Sequence, residues 1–376
     1  MNLNKRALTL YKRIENVGIT DRFASPDTDR INTVTNVYEL IEGEGVRRWL
    51  SLSGYAIEKM SDYERFSAYA AAVDLMSDSA RRDIFFEEIE TLVGASDTSD
   101  ISPAEIWKRG CVGISDICDE VEQYCNQSVA IRTTFPPFED KMADFPTKRI
   151  FDLNFCVEEL ERSGTELSFE EWQESLVKVI GRSEDFSVYF DLKNTEFCRG
   201  DHYHAGKVYK KITEKQGIEK CERELLLFWI LTFVCAKSGD KATLFLDLGE
   251  NCKGGSELVS YLVMRDILPR THIAVTRESV AKIKALCDIC LMSKKITLDI
   301  VLGIEDSPSD IKDILEAALS HYPVVNLRFG GIKDDSLLTS ASHRYCKKAI
   351  ATALSELVTD DERAERIIDT IFKSKE

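Results

Sequence analysis

Residues 242–265 read ATLFLDLGENCKGGSELVSYLVMR. The first seven residues, 242–248, are mostly apolar and include β-favouring types, which is typical of a buried strand. After a polar loop with two consecutive glycines, apolar residues return at helical spacing over 256–265, and Ser256 is the expected helix cap. A strand, a short loop and a helix form the repeating unit of α/β folds, so the number of repeats decides the architecture.

The same unit recurs along most of the chain. Apolar segments predict strands at 17–20, 129–134, 149–153, 187–192, 242–248, 271–275, 296–302 and 324–329. Helical patterns follow at 169–181, 216–237, 256–265, 278–287, 308–320, 340–357 and 360–373. Eight strands in alternation with helices favour a (β/α)8 TIM-like barrel, a single domain over residues 1–376. Helical patterns at 30–125 predict an N-terminal helical insertion after the first strand. A doubly wound open sheet is the alternative.

Composition narrows the class of partner. The 376 residues carry a net charge of −16, which opposes non-specific binding to nucleic acid or to an anionic membrane. No stretch approaches the ~18 uninterrupted apolar residues of a membrane helix. The chain begins with an amphipathic helical pattern instead of a signal peptide, so we expect a cytoplasmic protein whose 11 cysteines are reduced. We expect neither nucleic acid nor membrane as a partner, and a homo-oligomer stays possible.

The carboxyl ends of barrel strands carry function, and the residues predicted there are polar and acidic. The loop at 247–256 combines Asp247 with Lys253 and two glycines before a helix. Free backbone N–H groups, a helix dipole and a lysine suit a carboxylate or a phosphate. The alternative is an ordinary strand–helix loop that uses glycine for a tight turn.

The stretch GDHYHAGK at 200–207 raises the question of a metal site. His202 and His204 lie one residue apart beside Asp201, and together they would supply three ligands. The alternative is a solvated loop that leads into the next helix, since glycines flank the stretch. A third histidine, His272, falls within a predicted strand, where a hydrogen-bonded core histidine is the expected role.

Five segments, taken in order, resemble the uronate isomerase (glucuronate isomerase) family of the amidohydrolase superfamily. They are ALTLYKRIENVGITD (7–21), RRW (47–49), SFEEWQESL (168–176), LPRTHIAV (268–275) and SHRYCKKAI (342–350). The resemblance implies a (β/α)8 barrel. It also implies the family reaction, which is the aldose–ketose isomerisation of a hexuronate such as glucuronate or galacturonate. The small-molecule partner, a sugar acid, is implied only by this resemblance.

The resemblance also implies a set of site residues. Where the family has D-x-H-x-H after the first strand, this chain has Asp21-Arg22-Phe23-Ala24-Ser25. Asp247 stands at the histidine of the family's Q-L-H-I-G-A-L-R segment, and Asp334 matches the acid of its T-D-S-R segment. The implied catalytic residues are Asp21 and Asp334, and the implied metal ligands are Asp21, Asp247 and Asp334. The residues matched to substrate binding are Trp49, Asp247 and His343, and Lys253 of the loop at 247–256 is a further candidate for binding the substrate.

The departures from the family pattern bear on the metal. Phe23 offers no donor atom and Ser25 a poor one, so three carboxylates would hold Mg²⁺ or Mn²⁺ with waters more readily than Zn²⁺. We therefore expect either no cofactor or a weakly bound divalent metal (Zn, Mn or Mg). Three functions stay open: a hexuronate isomerase, a non-catalytic homologue that binds a sugar acid or a protein, and a diverged metal-dependent hydrolase.

Overall fold

A parallel sheet of seven strands runs through the chain. The computed structural model describes residues 3–15, 17, 50–75, 102–111, 130–133, 148–182, 186–303, 306, 308–320, 327–333 and 339–372. The strands are β1 (Ala130–Thr133), β2 (Lys148–Asp152), β3 (Phe186–Asp191), β4 (Ala242–Asp247), β5 (Arg270–Val275), β6 (Ile296–Gly303) and β7 (Leu327–Lys333). Each strand pairs in parallel with its sequence neighbours, from β1 to β7. This order does not reverse as it does in a doubly wound sheet.

Helices connect these strands. They are α1 (Lys5–Ile14), α2 (Asp62–Leu75), α3 (Pro103–Gly110), α4 (Leu153–Ser163), α5 (Phe169–Arg182), α6 (His202–Thr213), α7 (Lys220–Ser238), α8 (Cys252–Met264), α9 (Ile283–Cys290), α10 (Pro308–Leu319), α11 (Thr339–Leu357) and α12 (Asp361–Ile371). Helices α2 and α3 fall in the predicted insertion at 30–125, of which the structure describes 50–75 and 102–111. Among the described helices, none combines the length and the apolar character needed to cross a membrane.

The predicted strands agree closely with the sheet. Six of them end within one residue of β1 to β6, and the strand predicted at 324–329 corresponds to β7. The predicted strand at 17–20 lies outside the described residues except for Val17, which is not in a strand. Helix α4, capped by the Asp152 carboxylate, was not predicted; the helix expected after the stretch at 200–207 is α6, which begins earlier, at His202, and is capped by Asp201.

The start of α8 corrects one prediction. The helix begins at Cys252, four residues before the predicted cap Ser256, which instead lies inside the helix. The side chain of Asn251 caps it by accepting a hydrogen bond from the Gly254 N–H. Asparagine is as good a cap as serine. Here its side chain and its carbonyl accept hydrogen bonds from the N–H groups of Gly254 and Gly255, so both glycines lie in the first turn of the helix.

The two faces of the sheet have different environments. On β4, Leu244 and Leu246 pack into the large core shared with the helices, where each is 1% exposed. Side chains alternate along a strand, so Phe245 and Asp247 lie on the opposite face. There Phe245 packs against Ile150 and Tyr189 in a separate small cluster.

The N-terminal helix is fastened to the C-terminal helices. Ala7, Leu10 and Ile14 of α1 are buried, and α1 packs on α11 and α12. Arg6 contacts the Asp361 carboxylate at 2.6 Å and donates to the carbonyl of Ser355 at 2.8 Å. Because the Arg6–Asp361 pair is largely exposed, the buried apolar side chains contribute more to this docking than the ion pair does.

A buried lysine holds the chain at the end of α1. Lys347 of α11 is 7% exposed, and its Nζ donates to the carbonyls of Glu15 at 2.9 Å and Val17 at 2.6 Å. Burial, the largest cause, and the nearby charge of Arg344 lower the pKa of Lys347 to about 8, against an opposing effect of Glu15. These two hydrogen bonds hold the backbone at Glu15 and Val17 next to α11.

One glycine permits a close approach between β4 and α8. A Cβ atom at Gly255 would lie 2.5 Å from Cδ1 of Leu248, a residue that is fully buried. Gly181 in α5 has no atom within 4 Å of the corresponding position. The glycine at 255 is therefore required by packing, whereas the one at 181 is not.

We predict that Gly255→Ala lowers the free energy of unfolding by about 1–3 kcal/mol, because the added methyl group overpacks the contact with Leu248. Gly181→Ala, the matched control on an open helix surface, should leave stability unchanged or slightly raised. Urea denaturation of both variants measures this. Equal stability of the two variants would contradict the packing role of Gly255.

We predict a pH dependence from Lys347. Its folded pKa is depressed, so between about 8 and the ordinary lysine value the unfolded chain binds the proton more readily than the folded one. The stability associated with neutral Lys347 is therefore present at high pH and is lost as pH falls through about 8. The difference in unfolding free energy between the unmodified chain and Lys347→Met should grow from pH 8 to pH 10. A constant difference over that range would contradict the assignment.

Candidate functional site

Acidic side chains form a row on the face of the sheet opposite the large core, towards the carboxyl ends of the strands. Asp191 on β3 pairs in register with Asp247 on β4, and Ala274 on β5 pairs with Asp299 on β6. Residues at paired positions share a face, and Asp247 and Ala274 each lie one residue beyond the Leu246–Ile273 pair of β4 and β5. The small Ala274 side chain therefore separates the carboxylates of Asp247 and Asp299.

Asp247 is the most heavily bonded member of this row. It is fully buried, and its Oδ2 lies 3.2 Å from Nζ of Lys193 and 3.4 Å from the hydroxyl of Tyr189, which donates to it. Its Oδ1 accepts a hydrogen bond from the Gly249 N–H at 3.3 Å. A buried carboxylate requires such compensation, because an unpaired charge in the interior is costly.

Lys193 joins the buried acid to the solvent-facing side of the site. Its Nζ also lies 3.3 Å from Oε2 of Glu278, whose side chain is 66% exposed. Burial acts to lower the pKa of Lys193, but the nearby charges of Asp247, Glu278 and Asp191 outweigh it, and the pKa lies above its ordinary value. Lys193 therefore carries a positive charge at this end of the sheet.

The loops after β3 and β4 are built around this pair. The Leu192 N–H donates to the carbonyl of Asp247 at 2.8 Å, and Nδ2 of Asn251 donates to the carbonyls of Leu192 and Thr195, both at 2.8 Å. Gly249 adopts a φ of 49°, and a Cβ atom there would lie 2.9 Å from Cγ of Lys193. The glycine thus admits both the left-handed turn and the stem of the lysine.

A histidine lies one row deeper on the same face, level with Phe245, and pairs with Asp299 of the acidic row. His272 is buried, with its Nδ1 3.0 Å from Oδ1 of Asp299 and 3.1 Å from Oγ1 of Thr297. Its ring stacks beside Phe245 with 5.1 Å between the ring centroids. The prediction of a hydrogen-bonded core histidine is confirmed.

The structure describes some of the site residues expected from the sequence. Asp21, Trp49 and Asp334 lie outside the described residues. His343 is 1% exposed within α11. Lys253 is exposed in the first turn of α8, where the N–H groups of the glycine pair donate to the side chain and the carbonyl of Asn251. Those two N–H groups are therefore not available to an anion. Of the anion-binding groups expected in this loop, the Lys253 side chain is still exposed.

The stretch at 200–207 begins a helix instead of a loop. Asp201 is the cap of α6 and accepts from the His204 N–H at 2.8 Å, and Nδ1 of His204 lies 2.9 Å from the same carboxylate. His202 turns elsewhere, with its Nδ1 3.3 Å from Nε2 of Gln173. The two histidines therefore have different partners, and with Asp201 they do not form the metal site considered from the sequence.

The described residues do not fit a divalent metal. Over the described part of the chain, no three His, Cys, Asp or Glu side chains come together as a set able to hold a metal ion. At Asp247 the ammonium of Lys193 already provides a cation, 3.2 Å from the oxygen that a metal would use. A second cation there would face electrostatic repulsion. Metal binding by Asp21, Asp247 and Asp334 stays a prediction.

Sequence reasoning missed Lys193, Tyr189 and Glu278. Lys193 follows β3 directly, in the sequence DLKN at 191–194, and a lysine after a predicted parallel strand is a signal that could have been used. The pairing itself depends on the register Asp191↔Asp247, which no short motif encodes. Glu278 reaches the pair from the loop after β5, which is distant in sequence.

Comparison with known proteins identifies solved structures that share this fold. No protein-family model matches the chain, and no curated protein matches its sequence. A crystal structure of a uronate isomerase from Thermotoga maritima matches 98% of this chain and 96% of its own, with a TM-score of 0.75 and 14% identity. A uronate isomerase from Bacillus halodurans C-125 matches 99% and 96%, with a TM-score of 0.62 and 12% identity.

A third solved structure broadens the comparison. It is a proposed metal-dependent hydrolase from Lactobacillus casei ATCC 334, which matches 97% of this chain and 95% of its own, with a TM-score of 0.56 and 11% identity. At these identities the three matches show a shared fold. The resemblance to uronate isomerases seen in the sequence is therefore confirmed at the level of the fold.

We predict that Lys193→Met lowers the free energy of unfolding by about 2–4 kcal/mol, because it leaves the buried Asp247 carboxylate without its cation. The double variant Lys193→Met/Asp247→Asn should recover most of this loss, since it removes both charges. Urea denaturation gives the two values. Lys295→Met, which breaks the exposed pair with Asp240, is the control and should change stability little. Additive effects of the two site substitutions would show that the pair is not coupled.

Proposed function

We propose that this chain is a uronate isomerase-like protein of the cytoplasm that binds a sugar acid at the carboxyl ends of its strands. The fold match over nearly the whole chain supports the ligand class, because two of the matched structures are uronate isomerases. The one observation that carries the proposal is the Lys193–Asp247 pair with its exposed partner Glu278. It puts a positive charge at the strand ends, where ligands of α/β folds bind.

We further propose that the sheet closes into a (β/α)8 barrel. The seven described strands pair in sequential order, so an eighth strand between β7 and β1 would complete the ring. We assign this role to the strand predicted at 17–20. Lys347 of α11 donates to the Val17 carbonyl, and α11 packs on β7. At Val17 the chain therefore lies against α11, the helix that packs on the strand that an eighth strand would have to join.

The site explains how a sugar carboxylate would be recognised. Glu278 already brings a carboxylate to within 3.3 Å of the Lys193 ammonium, and its side chain is free to swing into solvent because it is 66% exposed. A ligand carboxylate would take the position of Glu278, while Asp247 keeps Lys193 in place. Acidic side chains of the same row would accept hydrogen bonds from the sugar hydroxyl groups.

Binding without turnover is the function that the described geometry supports best. Aldose–ketose isomerisation needs a base within hydrogen-bond reach of a sugar carbon. Both Asp247 oxygens are engaged by Lys193, Tyr189 and Gly249, so this carboxylate serves to hold the lysine. Hexuronate isomerisation with Asp21 and Asp334 as catalytic residues is the second candidate. It is favoured because two of the matched structures are uronate isomerases.

Titration calorimetry with galacturonate and glucuronate tests the proposal, with galactose and glucose as neutral controls. We expect the uronates to bind and the neutral sugars to bind at least tenfold more weakly, because they cannot replace Glu278. Lys193→Met should weaken uronate binding at least tenfold, the loss of a charged hydrogen bond. Glu278→Gln should tighten it, since it removes the competing carboxylate. Glu250→Gln, an exposed neighbour outside the pair, is the control.

Each outcome of this experiment separates the candidates. Equal binding of galacturonate and galactose, or unchanged binding in Lys193→Met, would contradict the carboxylate-binding site. A coupled assay on the same uronates, with and without added Zn²⁺ or Mn²⁺, distinguishes the second candidate. Turnover that depends on added metal would favour the isomerase and would place metal ligands outside the described residues.

A further inference from the structure

A cavity lies outside the sheet, between the start of α5 and one side of α6. Its volume is about 460 Å³, and its walls include Phe169, His202, Tyr203, Lys207, Tyr209 and Lys210. This volume is within the ~300–1,000 Å³ range of small-molecule pockets. Residues 202–207 of the stretch first considered as a metal site form one wall. Lys193, Asp247 and Glu278 are not among the lining residues, so the cavity is separate from the candidate sugar-acid site.

The floor of the cavity is aromatic. The ring centroid of Phe169 lies 5.2 Å from that of His202, 5.3 Å from that of Tyr209 and 4.9 Å from that of Trp229. A Cβ atom at Gly206 would lie 3.0 Å from Cδ1 of Phe169, so glycine lets this ring approach α6. The floor thus offers the faces and edges of several rings, which favour contact with another flat ring.

The rim of the cavity is positively charged. Lys207 Nζ lies 4.2 Å from the centroid of the exposed Tyr203 ring and makes no ion pair with any residue that the structure describes. Lys210 contacts the carboxylate of Glu214 at 3.6 Å. Among the residues that line the cavity, two are lysines and one, Glu170, carries a carboxylate. In a chain with a net charge of −16, a positive rim around an aromatic floor points to an anionic ligand.

Two further acids, each next in sequence to a lining residue, form hydrogen bonds at the starts of the helices. Asp201 caps α6, and the Glu171 carboxylate accepts from the Ser168 N–H at 2.9 Å in the capping box of α5. Their charges satisfy the helix starts and do not neutralise the lysines. The charge of Lys207 is therefore available to a ligand in the cavity.

We propose that this cavity binds a small molecule that combines a flat ring with one carboxylate group. The ring lies against Phe169 and His202, and the carboxylate lies at the rim between Lys207 and Lys210. Contact with the ring faces supplies the burial of apolar surface, and the lysines supply charge-assisted hydrogen bonds. The site takes a ligand different from the sugar acid, and it does not depend on the proposed function.

A titration of the full chain with three matched probes, followed by ligand-observed NMR, tests this assignment. The probes are 1-naphthoate, its uncharged analogue 1-naphthamide, and cyclohexanecarboxylate, which keeps the charge but lacks a flat ring. We expect 1-naphthoate to bind at least tenfold more tightly than either analogue. Lys207→Met should weaken its binding at least fivefold while preserving the alkyl stem that packs on Tyr203.

A matched lysine serves as the control. Lys237 on α7 lies over the ring of Phe233 at 5.8 Å, outside the cavity, and Lys237→Met should leave 1-naphthoate binding unchanged. Circular dichroism verifies that both variants fold. The proposal is overturned if 1-naphthoate does not bind, if all three probes bind alike, or if the two lysine variants weaken binding equally. Galacturonate binding should be the same in Lys207→Met and the unmodified chain, and displacement of 1-naphthoate by galacturonate would contradict separate sites.

Discussion

The charge of the buried Asp247 carboxylate must be compensated inside the protein, and the carboxyl end of the sheet is organised by this requirement. The compensation comes from three directions: the ammonium of Lys193, the hydroxyl of Tyr189 and the N–H of Gly249. Each of these groups lies on a different segment around β3 and β4, so satisfying one charge fixes two loops at once. Gly249 shows the tightness of the arrangement, because any side chain there would displace the stem of the lysine.

The difference between the two faces of the sheet gives the acid its setting. The leucines of β4 belong to the core under the helices, and the alternate positions carry Phe245 and Asp247. On the neighbouring strands the same alternation brings His272 and Asp299 together in a buried hydrogen bond. Hydrophobic burial on one side thus stabilises a framework that can hold polar groups at fixed positions on the other.

The sequence predicted the framework better than the site. Strand positions followed from short apolar runs, since a buried parallel strand must be apolar on its helix-facing side, and β1 to β6 ended within one residue of expectation. The start of α8 was misplaced because Ser256 and Asn251 are both good caps, and only packing against Leu248 distinguishes them.

The site was predicted in part, since Asp247 was identified as a candidate but its partners were not. Register between strands decides which side chains meet, and a single sequence carries no direct signal for it. Lys193 and Glu278 come from loops after different strands, separated by more than 80 residues, so their meeting follows from the fold and not from any local pattern. The histidines of residues 200–207 show the converse case: the local pattern suggested a metal site, and the structure shows the capped start of a helix.

The fastening of α1 by Lys347, Ser355 and Asp361 has a consequence for how the chain is made. A polypeptide emerges from the ribosome from its N-terminus, at about 5–20 residues per second. Helix α1 therefore waits, with Leu10 and Ile14 exposed, until the residues that bury it have been synthesised more than 300 positions later. During that interval the apolar face of α1 is open to chaperones and proteases, and it is covered only when α11 and α12 are present.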